Sequence, residues 1–151
     1  MGNGGKEVLL MDGSGKTLLT MRRRQKLSLV ANWHVYEGDV HDDNHCRLQN
    51  LPICKVRRHM NPLHTNQNVI AHVFLYAAGN KRYVYVIEGS YRKRSCKVLD
   101  ESRMVLAEIR RKEEMIKGIS FGVEVFLLIV RSGFDHGIAM AIVLLLDQMF
   151  S

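Results

Sequence analysis

Two short segments of the chain carry residue types that could hold a phosphate group or a metal ion. The first, residues 13–17 (GSGKT), matches the end of a phosphate-binding P-loop. A P-loop also needs a glycine five residues before Gly15, where this chain has Leu10, and a helix directly afterwards. Leu18 and Met21 instead continue the pattern of a strand, so no helix dipole is available to hold phosphates. We therefore interpret residues 12–15 as a hairpin turn.

The second segment, residues 41–46 (HDDNHC), contains side chains that are able to bind metals. Its spacing matches no common zinc pattern, and no second pair of ligands follows at a useful distance. A solvated loop between two strands is the better interpretation. The sequence thus predicts neither a metal site nor another cofactor.

Catalytic residues are the next possibility, because His34, His72 and His136 lie in or beside predicted elements. A catalytic triad requires a nucleophile within reach of a base. The serines fall in predicted turns, and the chain has no G-x-S-x-G motif. Asp135 is best interpreted as the N-cap of a helix. We therefore expect that the protein is not an enzyme.

Clusters of Arg and Lys are the remaining residues that could carry a function directly. With 22 Lys and Arg against 15 Asp and Glu, the net charge is +7, which favours anionic partners. Most clusters fall at predicted strand ends or in turns, so several could gather at one rim of a barrel and bind lipid phosphates or a nucleic-acid backbone. Protection of exposed strands against aggregation is the alternative. The clusters are Arg22, Arg23, Arg24 and Lys26; Arg57 and Arg58; Lys81 and Arg82; Arg92, Lys93 and Arg94; and Arg110, Arg111 and Lys112.

The aromatic residues, the cysteines and the N-terminus indicate which partners and which cellular compartment to expect. It has no aromatic-rich RNA-binding signature, which favours anionic membrane lipid or a protein partner over nucleic acid. The three cysteines, Cys46, Cys54 and Cys96, show no C-x-x-C spacing and fit reduced thiols in the cytosol or nucleus. The N-terminus has no signal-peptide core, and Lys6 stands where a myristoylation signal has Ser or Thr. We predict a cytoplasmic location, with a membrane-peripheral or nuclear one as alternatives.

The elements that must position these residues include a helix in the last stretch of the chain, Phe134–Ser151, after the N-cap Asp135. Residues 138–146 are apolar without a polar face, yet a transmembrane span takes about 20 such residues. A helix that is apolar all round must be surrounded on every side. We therefore expect a barrel or curled sheet around it. The predicted helix core consists of Ile138, Ile142, Val143, Leu145 and Leu146.

The rest of the chain is predicted to be β structure. In residues 32–37, Trp33 and Val35 alternate with Asn32, His34 and Tyr36, which is the period of a half-buried strand. Several short strands at regular spacing indicate a mostly antiparallel sandwich or barrel. The predicted strands are Lys6–Met11 (a buried strand), Lys16–Arg23, Asn32–Glu37, Ile53–Arg58, Val69–Tyr76, Arg82–Glu88, Tyr91–Leu99, Met104–Lys112 and Val123–Val130.

Four segments together carry a family resemblance. They are LLMDGSGKTLLTMRRRQKLSLVANWHVYEGD (9–39), GSYRKRSC (89–96), VLAEIRRK (105–112) and GFDHGIAMAIVLLLDQM (133–149). In this order they resemble the LURP-one-related family of plants over nearly the whole chain. The resemblance implies a tubby C-terminal-like fold, a β-barrel threaded by a hydrophobic C-terminal helix. Relatives in the wider group bind membrane phosphoinositides or are linked to phospholipid scrambling, and LURP-one is associated with plant defence against oomycetes.

The chain departs from the family pattern in three places. The family's domain begins with several strands before the segment that matches residues 6–11, and this chain has a short Gly-rich stub there. We therefore expect an incomplete barrel with an unpaired edge and part of the helix uncovered. Residues 30–32 (VAN) replace a more polar segment, and Ser132 replaces a Pro. No lipid-site motif of tubby proteins is carried over to positions in this chain.

The prediction from sequence is a non-enzymatic tubby-like binding module, in one domain over residues 1–151 that lacks the family's first strands. Its expected ligand is anionic phospholipid or a protein partner, in a role associated with plant defence. The alternatives are a truncated paralogue without independent activity and a barrel that binds a small ligand.

Overall fold

The computed structural model describes residues 5–24, 30–40, 51–60, 68–76, 82–112 and 121–151. In these ranges nine strands form one antiparallel sheet, in which each strand pairs with its neighbours in the sequence, and a helix follows the last strand. The predicted fold class, mainly β with a C-terminal helix, is confirmed. The elements are β1 (Glu7–Met11), β2 (Thr17–Arg23), β3 (Asn32–Glu37), β4 (Cys54–Arg58), β5 (Val69–Tyr76), β6 (Arg82–Ser90), β7 (Ser95–Leu99), β8 (Val105–Arg111), β9 (Phe126–Val130) and α1 (His136–Phe150).

Helix α1 begins where the sequence predicts. The Asp135 carboxylate accepts a hydrogen bond from the backbone N–H of Ile138 at 2.8 Å and thereby caps the first turn. The buried side chains of the helix share one apolar core with inward-facing residues of β2 to β8. The helix is therefore the apolar axis around which the sheet curls. Four of the predicted core residues are buried, namely Ile142, Val143, Leu145 and Leu146.

One side of α1 is left uncovered, as expected for an incomplete barrel with an unpaired edge. Ile138, predicted to be in the core, is only half-buried, and Met140 is 41% exposed. Within the described ranges β1 and β9 each pair with one neighbour only, so the sheet does not close. An open sheet cannot surround a helix completely, and part of the apolar surface stays accessible.

Side chains alternate between the two faces of the sheet. Trp33 and Val35 of β3 point toward the helix and are buried, in agreement with the predicted alternation, and Cys54 and Val56 of β4 do the same. Their sequence neighbours point away from the helix and form what we call the outer face. On β3 to β5 the outer face carries Asn32, His34, Lys55, Arg57, His72 and Phe74, which are cross-strand neighbours.

The edge strands are less buried than the sequence suggests. We predict β1 to be a buried strand, but its residues alternate between half-buried and exposed, and Leu9 and Met11 belong to the exposed set. The prediction is wrong because β1 lies at the edge of the sheet, where one side has no neighbouring strand. Strand β9 lies at the other edge, and its Leu127 and Ile129 are exposed as well.

Replacement of Leu127 by Lys is expected to reduce self-association of the protein. Leu127 is 46% exposed on an apolar edge strand, and a charge at such a position opposes edge-to-edge pairing. The free energy of unfolding should change by no more than about 0.5 kcal/mol, as for other surface substitutions. Light scattering as a function of concentration, with urea denaturation alongside, measures both quantities.

Leu128→Lys is the matched control, because Leu128 is half-buried against the core. It should lower the free energy of unfolding without improving solubility. If Leu127→Lys scattered light at the same protein concentration as the unaltered protein, β9 would not be the strand through which the protein self-associates.

Two predicted strands begin later than expected. Residues Tyr91 to Arg94 form a turn, and β7 starts at Ser95. Arg94 has a φ of 52°, a left-handed backbone conformation that non-glycine residues rarely adopt and that no pattern in the sequence signals. Strand β9 starts at Phe126, three positions after the predicted Val123. The remaining strand bounds differ by at most two residues from those predicted.

The GSGKT segment lies in the hairpin between β1 and β2, as predicted. The Asp12 carboxylate accepts hydrogen bonds from the Ser14 hydroxyl and from the backbone N–H groups of Ser14 and Lys16. The Ser14 hydroxyl, followed by these N–H groups, holds the pKa of the Asp12 carboxyl below its usual range. The polar groups of this segment are thus used within the turn.

Candidate functional site

The antiparallel order of the sheet brings four separate basic clusters to one end of the molecule. In an antiparallel meander the last residues of β2, β4, β6 and β8 lie at the same end of the sheet. We call this the basic end. It carries Arg22, Arg23, Arg24, Arg57, Arg58, Arg92, Lys93, Arg94, Arg110, Arg111 and Lys112. Of the other predicted cluster residues, Arg82 begins β6 at the opposite end, and Lys26 and Lys81 lie outside the described residues.

The C-terminus of α1 also lies at the basic end, where two arginines donate hydrogen bonds to its last backbone oxygens. Arg58 Nη1 donates to the backbone oxygen of Met149, and Arg92 Nε donates to that of Phe150, both at 3.2 Å. The Arg58 guanidinium also stacks over the Phe150 ring at 4.7 Å. The last carbonyls of a helix lack intrahelical donors and carry a partial negative charge. Arg58 and Arg92 therefore have a structural role, which the sequence did not reveal.

Arg94 is also a structural residue. It is only 8% exposed, its Nε donates to the backbone oxygen of Val123 at 2.9 Å, and its guanidinium lies over the rings of Tyr91 and Phe126. The Tyr91 hydroxyl in turn donates to Asp147 of α1, and burial raises the pKa of Tyr91 to about 12. This group joins the β6–β7 turn to the helix and to the start of β9.

Two further arginines are held by carboxylates. Arg22 Nε pairs with Glu7, and its Nη2 donates to the backbone oxygen of Val40. Arg110 Nε pairs with Glu108 at 2.8 Å, and the hydrogen bond from Arg110 lowers the pKa of that carboxyl. Both pairs lie on the surface, where an ion pair adds little stability. Their cations are partly neutralised.

The remaining cations of the basic end are the best candidates for contact with a ligand. Five exposed side chains make no hydrogen bond or ion pair with any described residue, and Lys112 lies only over the Phe121 ring at 4.9 Å. The sequence could not separate these residues from the structural arginines, because both kinds occur in the same clusters. The five are Arg23, Arg24, Arg57, Lys93 and Arg111.

The end of the sheet opposite the basic end carries both carboxylates and cations. It contains several carboxylates, together with the cations Lys16, Arg82, Arg103 and Arg131. The Arg82 guanidinium lies 5.9 Å from the centre of the Tyr76 ring. The carboxylates at this end offset its cations, so the excess of positive charge is concentrated at the basic end. The carboxylates at this end are Asp12, Glu37, Asp100, Glu101 and Asp135.

The histidines considered as catalytic residues are not brought together. His34 and His72 lie on the outer face, and His136 is the exposed first residue of α1 at the opposite end. Burial, followed by the charges of Arg24 and Lys55, lowers the pKa of His34. His59, which the sequence did not single out, lies beside His72, with 5.1 Å between the ring centres.

The two described cysteines, Cys54 and Cys96, are buried. Burial raises the pKa of the Cys54 thiol to about 12 and that of Cys96 to about 11, which keeps both protonated. Among the described residues no three His, Cys, Asp or Glu side chains meet in a group that could hold a metal. Residues 41–46, including Cys46, lie outside the described residues.

In the ranges that the structure describes, no helix is both long and apolar enough to cross a bilayer.

Comparison with known proteins identifies a family whose members are similar to this chain. The model of the LURP-one-related family matches residues 1–147. No solved structure matches the chain significantly.

Three similar proteins from Arabidopsis thaliana carry the same family name. LURP-one-related 17 is 42% identical over 97% of this chain and 66% of its own length. LURP-one-related 8 is 43% identical over 95% and 67%, and LURP-one-related 5 is 38% identical over 95% and 63%. The chain thus spans about two thirds of the length of these relatives.

Proposed function

Because the chain belongs to the LURP-one-related family, we propose that it is a non-catalytic binding module that attaches peripherally to an anionic membrane surface through its basic end. The observation that carries this proposal is the concentration of excess positive charge at the basic end. Five exposed cations without partners among the described residues lie at the basic end, whereas carboxylates offset the cations at the other end. A molecule with this distribution orients itself in the field of an anionic surface.

The expected binding energy is appreciable. Each Lys or Arg near an anionic bilayer contributes about 1 kcal/mol. The cations come from four different strand ends, so they form a broad surface that matches a membrane better than it matches a narrow cleft. The packing of Arg58 and Arg92 on the end of α1 gives this surface a rigid base.

Nucleic acid is the weaker alternative because of where the aromatic residues lie. Proteins that bind single strands combine a basic groove with exposed aromatic rings. The exposed Tyr76 and Tyr83 lie at the strand ends opposite the basic end. An acidic protein partner would use the same cations as a lipid surface and is an outcome of the experiment below. A cytoplasmic location and a role in plant defence stay predictions that agree with this function.

The test compares two double variants that remove the same charge at opposite ends. Arg23→Gln with Lys93→Gln removes two exposed cations of the basic end. We expect roughly thirtyfold weaker binding to vesicles containing phosphatidylserine, because two cations contribute about 2 kcal/mol. Lys16→Gln with Arg82→Gln is the matched control and should change the affinity by no more than about twofold. Vesicle co-sedimentation measures both.

The proposal makes two further demands on this experiment. The unaltered protein should bind neutral phosphatidylcholine vesicles far more weakly than anionic ones. Equal binding to the two vesicle types would refute it, as would an equal loss of binding in both double variants. Failure to bind any vesicle would leave an acidic protein as the partner of the basic end.

A further inference from the structure

A cavity of about 370 Å³ opens on the outer face where β4 and β5 reach the basic end. Arg57 and His72 are direct cross-strand neighbours at this point. His59 follows β4, and its backbone N–H donates to the oxygen of Ile70, so it lies next to His72. The topology therefore places a guanidinium and two imidazoles around one space. The lining residues are Val30, Arg57, Arg58, His59, Met60, His72 and Phe74.

One of these imidazoles has a buried nitrogen that lacks a partner. His59 Nε2 is shielded from solvent and makes no hydrogen bond with a described residue. A buried polar atom left in this state costs free energy, so native structures seldom retain one without a reason. A ligand atom in the cavity would satisfy it.

The adjoining surface has the same character. A second cavity, of about 210 Å³, is lined by Arg24, Asn32, His34 and Lys55. Asn32 Oδ1 and His34 Nδ1 are likewise buried without partners in the described part of the chain. Asn32 is the direct cross-strand neighbour of Arg57, so the two cavities lie beside each other on the outer face. Three of the four buried side-chain atoms that lack partners among the described residues thus lie in this region, the fourth being Arg94 Nη1.

The local charge determines which kind of ligand fits. Burial, followed by the charges of His59 and Arg57, lowers the pKa of His72. Within the described residues no carboxylate lines either cavity. A metal cation would meet Arg57 without a compensating negative ligand. An anion would be attracted by Arg57 and the two imidazoles, and it would relieve the electrostatic repulsion between Arg57 and protonated His72.

We propose that the cavity formed by Arg57, His59 and His72 binds the terminal phosphate of a phosphomonoester. A phosphomonoester presents three oxygens in a tetrahedral arrangement, which can accept from both imidazoles and from the guanidinium fork together. The cavity is larger than a bare phosphate, and the apolar side chains of Met60 and Phe74 offer a surface for the organic part of the ligand. This inference rests on the proposed function, since it names the group that the basic end recognises.

Titration with inorganic phosphate tests the cavity directly. The protein, with ¹⁵N in its histidine rings, is titrated at constant ionic strength with chloride as the replaced anion. We expect saturable shifts of the His59 and His72 ring nitrogens, with no shift at His136, the exposed residue at the opposite end. Arg57→Gln removes a charge-assisted hydrogen-bond donor, and His72→Gln removes a ring N–H donor. Each should weaken phosphate binding about tenfold. His136→Gln is the matched control.

Vesicles distinguish a lipid headgroup from a free phosphate compound. Phosphatidic acid carries a phosphomonoester, and phosphatidylglycerol carries only a phosphodiester. At matched surface charge we expect about tenfold tighter binding to phosphatidic acid, and Arg57→Gln should abolish this preference. If phosphate shifts the two histidines but the vesicles bind equally, the cavity is supported and its ligand is a soluble phosphomonoester.

The outcome that overturns the inference is the absence of a phosphate-dependent shift at His59 and His72. This measurement uses the unaltered protein, so a variant that fails to fold cannot obscure it. The proposed function has a separate readout, since it depends on Arg23 and Lys93 and on anionic vesicles of any headgroup. Binding to anionic vesicles without a response of the two histidines would therefore reject the cavity alone.

Discussion

Replacement of Leu145 by Ala is expected to lower the free energy of unfolding by about 2–5 kcal/mol. Leu145 is 0% exposed and belongs to the part of α1 that shares its core with seven strands of the sheet. Removal of its branched end loses apolar burial and leaves a cavity, because the surrounding strands are tied to one another and can collapse only partly. Urea denaturation followed by circular dichroism measures the change.

Met140→Ala is the control for this prediction, because Met140 lies on the same helix but is 41% exposed. It should cost less than about 1 kcal/mol, since a surface substitution loses little burial and Ala has the higher helix propensity. Similar losses for the two variants would mean that α1 does not form the axis of the sheet.

Replacement of Gly89 by Ala is expected to cost roughly 2–5 kcal/mol, from backbone strain together with overpacking. Gly89 has a φ of 115°, a conformation that residues with a Cβ rarely adopt. A Cβ at this position would overlap with the backbone oxygen of Ser95 and lie 3.1 Å from the Cα of Cys96. Because both neighbours are backbone atoms of the paired strand β7, neither can rotate away. Thermal and urea unfolding measure the effect.

Gly13→Ala is the matched control for the Gly89 variant. Gly13 lies in the β1–β2 turn, where a Cβ would meet no atom within 4 Å, and its φ lies outside the range that strains a side chain. The expected change is within about 0.5 kcal/mol. If Gly89→Ala were equally harmless, the close approach of β6 and β7 at this position would be wrong. Unfolding should be measured before any binding assay on Gly89→Ala, since the adjoining turn carries Lys93 of the basic end.

Much of the fold could be predicted because its signals are local. The alternation of Trp33 and Val35 with polar residues fixed the orientation of β3, and Asp135 before the apolar run fixed the start of α1. The β1–β2 hairpin followed from the turn residues around Gly13. Each of these signals depends on residues that are close together in the chain.

The errors arose where a distant part of the chain determines the environment. Strand β1 has the composition of a buried strand and is half-exposed, because it stands at the edge of an open sheet. Ile138 is half-buried for a related reason, since the sheet does not close around the helix. The turn at Tyr91–Arg94 depends on a left-handed Arg94 whose guanidinium packs on Phe126, more than thirty positions along the chain.

Only part of the candidate site could be predicted from the sequence. The clusters of Arg and Lys were evident, and their places at strand ends led to the prediction that they gather at one rim. The division of these residues into structural and exposed ones was not evident, and neither was the pairing of His59 with His72. A sequence signal for His59 would have been its place two positions after Arg57, where it continues the alternation of the outer face just beyond the end of β4.

By itself, the sequence determined the succession of strands and turns, the apolar helix at the end, and the excess of positive charge, because these depend on residue type and short-range spacing. The tertiary structure decided which cations are available to a ligand. Arg58 is used by the oxygen of Met149, a contact that joins residues 91 positions apart, while its neighbour Arg57 points to the outer face. Such a distinction depends on how distant segments pack against each other, and adjacent arginines in a sequence carry no record of it.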